Sequence, residues 1–146
     1  MKIAFGCDPN AADFKQALIK TCVDAGHEIL DMGSEDPIYA NTAIKVANCV
    51  AAQRADKGIL VCGTGIGMSI AANKVKGAYA ALVSDVYSAE RAALSNNANI
   101  ICLGAFTMGE RLAQKLVMEW LSASFDPTSP SAEKIHRIYE YERSAV

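Results

Sequence analysis

Short apolar runs alternate with longer stretches in which apolar residues recur at helical spacing along this 146-residue chain. Lys2–Cys7 is a compact apolar run that breaks at Asp8-Pro9-Asn10. Over residues 11–25, Phe14, Leu18, Ile19 and Cys22 fall on one face of a helix, and Gly26 stops it. Glu28–Met32 reads as a second strand closed by Gly33, and residues 37–54 repeat the helical pattern through Ile38, Ile44, Val46, Ala47 and Val50. Ile59–Cys62 is apolar at every position, as expected of a strand covered on both faces. A glycine loop follows. The pattern beyond it predicts a helix over 68–75, a strand over 78–83, a helix over 86–95, a strand over 99–103, a helix over 108–122 and a polar last helix over 131–142. Five strands alternating with helices predict an α/β fold: a parallel sheet, helices on both faces and right-handed crossovers. The one shift in composition is Asp126-Pro127-Thr128-Ser129-Pro130, whose prolines break the helical pattern. The last helix is therefore expected to leave the body as an appendage. It would dock on a partner subunit or fold back on its own chain.

Composition narrows the class. Apolar residues make up 51% of the chain, enough to bury a core without staples, so 1–146 reads as one domain. Fourteen Lys+Arg against sixteen Asp+Glu leave a net charge of −2, without the basic footprint of a nucleic-acid binder. No apolar run approaches the roughly 18 residues that suggest a membrane span, and the first residues do not read as a signal peptide. The cysteines at 7, 22, 49, 62 and 102 contain no C-x-x-C pair. That argues against a disulfide framework and a zinc site, and for a cytoplasmic protein.

In parallel sheets ligands bind at the C-terminal ends of the strands, near a reversal of strand order. The residues there are Asp8, Cys62 with its glycine loop, Ser84, Asp85 and Gly104, with Tyr39 just past the second strand's loop and Asn96 ahead of the fifth strand. The sharpest feature is Cys62-Gly63-Thr64-Gly65-Ile66-Gly67-Met68-Ser69. Glycines at alternate positions let backbone N–H groups converge on one point ahead of a helix, a nest suited to an anion. A dinucleotide fingerprint would need glycine at Met68, and a P-loop would need Gly-Lys-Ser/Thr. A cysteine-phosphatase loop would need arginine at Met68. Cys62 is either a small buried hydrophobe or a thiol whose acidity the loop raises. The chain's histidines, His27 and His136, are poorly placed to assist a nucleophile. Proton abstraction asks only for a base and an oxyanion hole, and one loop offers both.

Three segments carry a resemblance: Gly6-Cys7-Asp8, Cys62 through Lys74, and Ser95-Asn96-Asn97-Ala98-Asn99. Together they resemble the ribose-5-phosphate isomerase B / galactose-6-phosphate isomerase family, from residue 2 to about 142. The resemblance implies a Rossmann-like three-layer α/β/α sandwich with an extra C-terminal helix. It implies a homodimer or homotetramer with sites shared between subunits, a small phosphorylated sugar as substrate, and no metal or organic cofactor. Cys62 falls on the family's general base, acting through a cis-enediolate. The N–H groups of Gly63, Gly65, Ile66 and Gly67, with Thr64 and Asn96, fall on the groups that hold its charge. Asp8 matches a hydroxyl ligand or else caps a helix, and Tyr39 matches a pocket tyrosine or else packs.

Departures from the family pattern are equally specific. The histidine beside Asp8 is Pro9, the ring-opening histidine is Ser95, and an arginine of the phosphate clamp is Phe106. The C-terminal Gly-Gly-Arg-His segment is replaced by Thr128–Lys134. That leaves Lys134 and Arg137 as phosphate candidates from a neighbouring subunit, or as a solvated face. A tetrose 4-phosphate cannot close a furanose ring, because its O4 is esterified, so an erythrose/erythrulose 4-phosphate isomerase would not need the missing histidine. A non-catalytic sugar-phosphate-binding subunit is the reading from another class.

Overall fold

The computed structural model describes residues 1–145. In chain order the elements are β1 (Lys2–Cys7), α1 (Ala12–Asp24), β2 (Glu28–Asp31), α2 (Tyr39–Ala51), β3 (Lys57–Cys62), α3 (Ile66–Ala72), β4 (Ala80–Leu82), α4 (Val86–Leu94), β5 (Ile100–Gly104), α5 (Glu110–Ser122) and α6 (Ala132–Ser144). The five strands form one sheet in the order β2-β1-β3-β5-β4, with every pairing parallel.

Alternation along the strands divides the core in two. Ile3, Phe5, Ile59, Val61, Ile101 and Leu103 point to one face and meet α1, α4 and α5, with Trp120 fully buried among them. Ala4, Leu60, Cys62, Ile100 and Cys102 point to the other and meet α2 and α3 through Val46, Ala47, Val50, Met68 and Ala72. Both faces are covered, so the central strands carry no polar alternation. No helix among the described residues is long and apolar enough to cross a membrane.

Element ends depart from the periodic pattern where side chains compete for the backbone. The α2 helix starts at Tyr39 because Asp36 takes the Ile38 N–H at 2.8 Å and the Asn41 side-chain amide at 3.0 Å, holding Ile38 extended. Ile38 and Ile44, read as part of the apolar stripe, are exposed instead. The α3 helix begins two residues early, capped by Gly65 at φ +79°, and stops at Ala72. Beyond it the Asn73 side chain pairs with both the N–H and the C=O of Ala80 at 2.8 Å, closing the outer edge of β4.

The last helix is not an arm leaving the body. Ala132 and Ile135 are buried on its own chain, and the Tyr139 ring lies 5.0 Å from that of Tyr79. Glu142 accepts from the Gly77 N–H at 2.9 Å and the Tyr79 hydroxyl at 2.7 Å. These contacts hold α6 against the start of β4, at the N-terminal edge of the sheet.

Lys15 was not legible as a core residue. It is 1% exposed, with its ammonium 2.6 Å from the Asp31 carboxylate. Burial works to raise the Asp31 carboxyl. The Lys15 ammonium and the amides of Gly33 and Gln16 outweigh it and hold the group below the usual carboxylate range. Asp31→Asn strands the buried ammonium and is expected to cost about 3 kcal/mol, the low end of the range for a broken buried pair. Asp31 itself is 38% exposed, which is why the low end applies. Urea unfolding checks it: Lys15→Met, which removes the buried charge, should cost clearly less.

Candidate active site

The sheet reverses its strand order between β1 and β3, since β2 lies on one side of β1 and β3 on the other. A crevice outside the C-terminal ends of these two strands is where such folds place ligands. The register pairs Cys7 with Val61, so Asp8 and Cys62 leave the sheet side by side. The Asp8 N–H donates to the Val61 carbonyl at 3.1 Å, and its Oδ1 accepts the Ala11 N–H at 3.1 Å. Asp8 therefore does cap the following turn, and it does so at the rim of the crevice.

Cys62 ends β3, where the backbone turns through Gly63-Thr64-Gly65 into α3. Gly65 is needed there for two reasons. Its φ of +79° lies in the left-handed region, and a Cβ would stand 2.7 Å from Leu82 Cδ1 and 3.0 Å from the Leu103 backbone. The turn aims the Gly65 N–H at Cys62 Sγ, 3.0 Å away.

Cys62 is 6% exposed, whereas Cys7, Cys22 and Cys102 are fully buried and Cys49 is 1% exposed. Burial pushes the Cys7 and Cys22 thiols up to about 11. It raises Cys102 as well, assisted by the neighbouring Cys62. The four sequestered thiols belong to the core, and all five cysteines are free.

The loop's amides are divided differently from the expectation. Gly65 N–H is committed to the sulfur, and Ile66 N–H donates to Thr64 Oγ1 at 3.3 Å. Among the described residues nothing accepts from the Gly63 and Thr64 amides, nor from those of Gly67 and Met68, which open the first turn of α3. Of the expected donors Gly63 and Gly67 are thus left for a ligand and Gly65 and Ile66 are not, while the Thr64 and Met68 amides join them. In the sequence Met68 counted only as a side chain that rules out other loop motifs; here its backbone N–H is what faces the site.

Two aromatic rings flank this loop. Tyr39, at the start of α2, lays its phenol over Gly67, where any Cβ would run into the ring. Phe106 lies over Gly63, where a Cβ would be 2.9 Å from its ring. A cavity of about 570 Å³ lies beyond α2, lined by Lys15, Asp31, Asn41, Thr42 and Lys45 among others, and Cys62 does not line it.

Asp8, Tyr39, Cys62, Gly63, Thr64, Gly65, Ile66 and Gly67 are brought together at one edge. Asn96, Lys134 and Arg137 are not. Asn96 precedes β5, whose last residue, Gly104, pairs with Cys62. The five residues of β5 are roughly 16 Å of strand, so Asn96 stands at the opposite end of the sheet. Lys134 and Arg137 are exposed on α6 and line an open cavity of about 880 Å³ with Glu133, His136 and Glu140. They are therefore not part of the Cys62 cluster of the same chain. Ser95, beside Asn96, has its hydroxyl engaged by Arg91 Nε at 2.7 Å, a cation the sequence reading had not singled out.

Residues 3–138 match the family model described as Ribose/Galactose Isomerase. D-erythrulose-4-phosphate isomerase 2 of Mycolicibacterium smegmatis is 43% identical over 148 residues, covering 97% of both chains. Ribose-5-P isomerase B of Listeria innocua is 47% identical over 128 residues, covering 86% of each. Among solved structures, ribose-5-phosphate isomerase B of Clostridium thermocellum superimposes with a TM-score of 0.92 at 36% identity, over 98% of each chain.

Proposed function

The chain belongs to the ribose/galactose isomerase family and is an aldose–ketose isomerase of small sugar phosphates; within that reaction we propose that Cys62 is the proton-transferring base. One observation carries this reading. The most accessible of the five thiols receives a backbone N–H, and it sits at the reversal of strand order where the fold collects ligands. In the aldose-to-ketose direction the Cys62 thiolate removes the proton from C2, and the electron pair moves into the C1 carbonyl to give a cis-enediolate. The thiol then returns the proton to C1 as the proton on O2 passes to O1, which leaves a hydroxyl on C1 and the ketone at C2. Negative charge develops on the substrate oxygens meanwhile, and the free Gly67 and Met68 amides, with the Thr64 hydroxyl, are placed to meet it. Asp8 orients a substrate hydroxyl, and the Tyr39 ring walls the pocket.

A second copy completes the site. Asn96, Lys134 and Arg137 cannot reach Cys62 within one chain, whereas a two-fold partner would present its N-terminal edge to this C-terminal edge. Ile66, Ile70, Leu82, Tyr87 and Ile138 are exposed along the intervening side, an apolar surface that such a partner would cover. The expected result is complementation between Cys62→Ala and Asn96→Ala chains. Each is inactive alone, but refolded together they recover roughly a quarter of wild-type activity, because half the dimers are mixed and each regains one intact site. No recovery on mixing overturns the shared site.

The preferred substrate is a tetrose 4-phosphate. Ser95 stands where the family places its ring-opening histidine, and its hydroxyl is occupied by Arg91. An open-chain substrate needs no such acid. The Mycolicibacterium relative, an erythrulose 4-phosphate isomerase, is 43% identical over 97% of the chain. Turnover of D-erythrulose 4-phosphate should exceed that of ribose 5-phosphate; a strong preference for the pentose overturns this choice. Five free cysteines suit the reducing conditions of the cytoplasm.

A further inference from the structure

Lys57 opens β3 at the end of the sheet away from Cys62, and its charge has no counterpart. Its ammonium lies 4.3 Å from the centre of the Trp120 ring and donates to the Trp120 carbonyl at 3.4 Å. That carbonyl is one of those an α-helix leaves open at its C-terminal end. One ammonium proton thus caps α5, and two remain. Among the described residues Lys57 forms no ion pair. Asp56, next to it in the chain, accepts the Lys2 N–H at 2.6 Å instead. Burial holds the Lys57 ammonium below the usual lysine range, and no carboxylate offsets it. Lys15 is the contrast, more deeply buried but matched by Asp31. A half-buried cation that the fold leaves unmatched is destabilising, and an anion from outside would relieve it.

Space for that anion is present. Lys57 lines a cavity of about 420 Å³ together with Ala93, Ala98, Ala123, Ser124 and Phe125, and small-molecule sites begin at roughly 300 Å³. Ser124 and Phe125 lie just past the end of α5, and their amides donate to no carbonyl among the described residues. The alanines and Phe125 make much of the remaining wall apolar. Asp56 lines the same cavity, so a second negative charge on a ligand would meet repulsion. We propose that this cavity binds a small monocarboxylate, with the carboxylate on Lys57 and a short hydrocarbon body against Ala93, Ala98 and Phe125. It is separate from the isomerase centre, because Cys62 closes the strand that Lys57 opens, roughly 16 Å along. Asn96 lines a different cavity, with Tyr79, Ala80 and Ile138. Occupancy of the Lys57 cavity does not depend on the role of Cys62.

Trp120 is the chain's single tryptophan, so its fluorescence reports on this cavity without any need for turnover. At constant ionic strength, butyrate should change that fluorescence along a saturating curve with a Kd of about 1–10 mM, the range open to so small a ligand. Butyramide, similar in shape but uncharged, should bind at least about tenfold more weakly. So should butyrate to Lys57→Met, which keeps an unbranched stem over the ring. Butyrate should not compete with the sugar phosphate in steady-state kinetics. A second measurement needs no substitution. In the wild-type chain butyrate should slow acetylation of Lys57 by acetic anhydride and leave that of the exposed Lys20 unchanged, read by peptide mass spectrometry. Equal affinities for butyrate and butyramide, or acetylation of Lys57 unaltered by butyrate, overturn the site. Competition with the sugar phosphate overturns its independence and would join Lys57 to the isomerase centre.

Discussion

Cys62→Ala should lower kcat/KM by about 10³-fold or more on the best sugar phosphate, within the 10²–10⁴-fold that a positioned base contributes, with loss of stereospecific proton transfer as well. The substitution removes the group that touches the reacting carbons and little else. The side chain is small and lies at the end of β3, so the stability cost should stay near 1 kcal/mol, about 3 °C in Tm for a chain of this size. That split between activity and stability is what identifies a base rather than a packing residue. Thiol chemistry supplies an independent reading. With Cys7, Cys22, Cys49 and Cys102 sealed in the core, the native protein should react with one equivalent of a thiol reagent, substrate should protect it, and Cys62→Ala should react with none. Retention of more than a tenth of wild-type activity by Cys62→Ala would assign proton transfer to another group, whereas a wild-type chain that binds sugar phosphates but turns none of them over would revive the non-catalytic subunit.

Gly65→Ala is expected to be strongly destabilising, because it combines a left-handed backbone with a clash. The left-handed φ of +79° costs an alanine roughly 1–2 kcal/mol. The added Cβ would stand 3.0 Å from the Leu103 backbone, which cannot swing aside as a side chain can, and 2.7 Å from Leu82 Cδ1. Overpacking of this kind typically adds about 1–3 kcal/mol, so the total should be about 2–5 kcal/mol by chemical denaturation. Relief can come only by moving the turn, and the turn carries the N–H that reaches Cys62 Sγ. Activity should therefore fall further than the loss of folded protein accounts for. A folded, stable Gly65→Ala enzyme with wild-type kcat would show that the amide–sulfur contact contributes nothing to the chemistry.

The site was unevenly visible in the sequence. Alternating glycines after an all-apolar strand marked the loop, because few backbone shapes need glycine at every second position there. The thiol's hydrogen bond was not visible, since it depends on which amide the turn rotates toward the sulfur. Nor was the division of the loop's amides: Thr64 could have faced a ligand as readily as the Ile66 N–H. Phe106 stood out only as a replacement for a charged residue, and its seat on Gly63 follows from β5 lying beside β3, a pairing of strands about forty residues apart in sequence. Lys15 and Asp31 looked like ordinary surface charges because the helical pattern around Lys15 reports which face is buried, not what an adjacent strand end offers to pair with it.

By itself, then, the order of residues determined the α/β class, the parallel sheet and the chemistry of the central loop, since periodicity and glycine spacing act locally, over a few residues at a time. The tertiary structure alone decided that Cys62, Asp8, Tyr39 and Phe106 share one edge while Asn96, Lys134 and Arg137 stand at the other. Which end of a strand a residue occupies is local, but which strands lie next to each other, and which helix folds back to meet them, follows from burying both faces of the sheet at once.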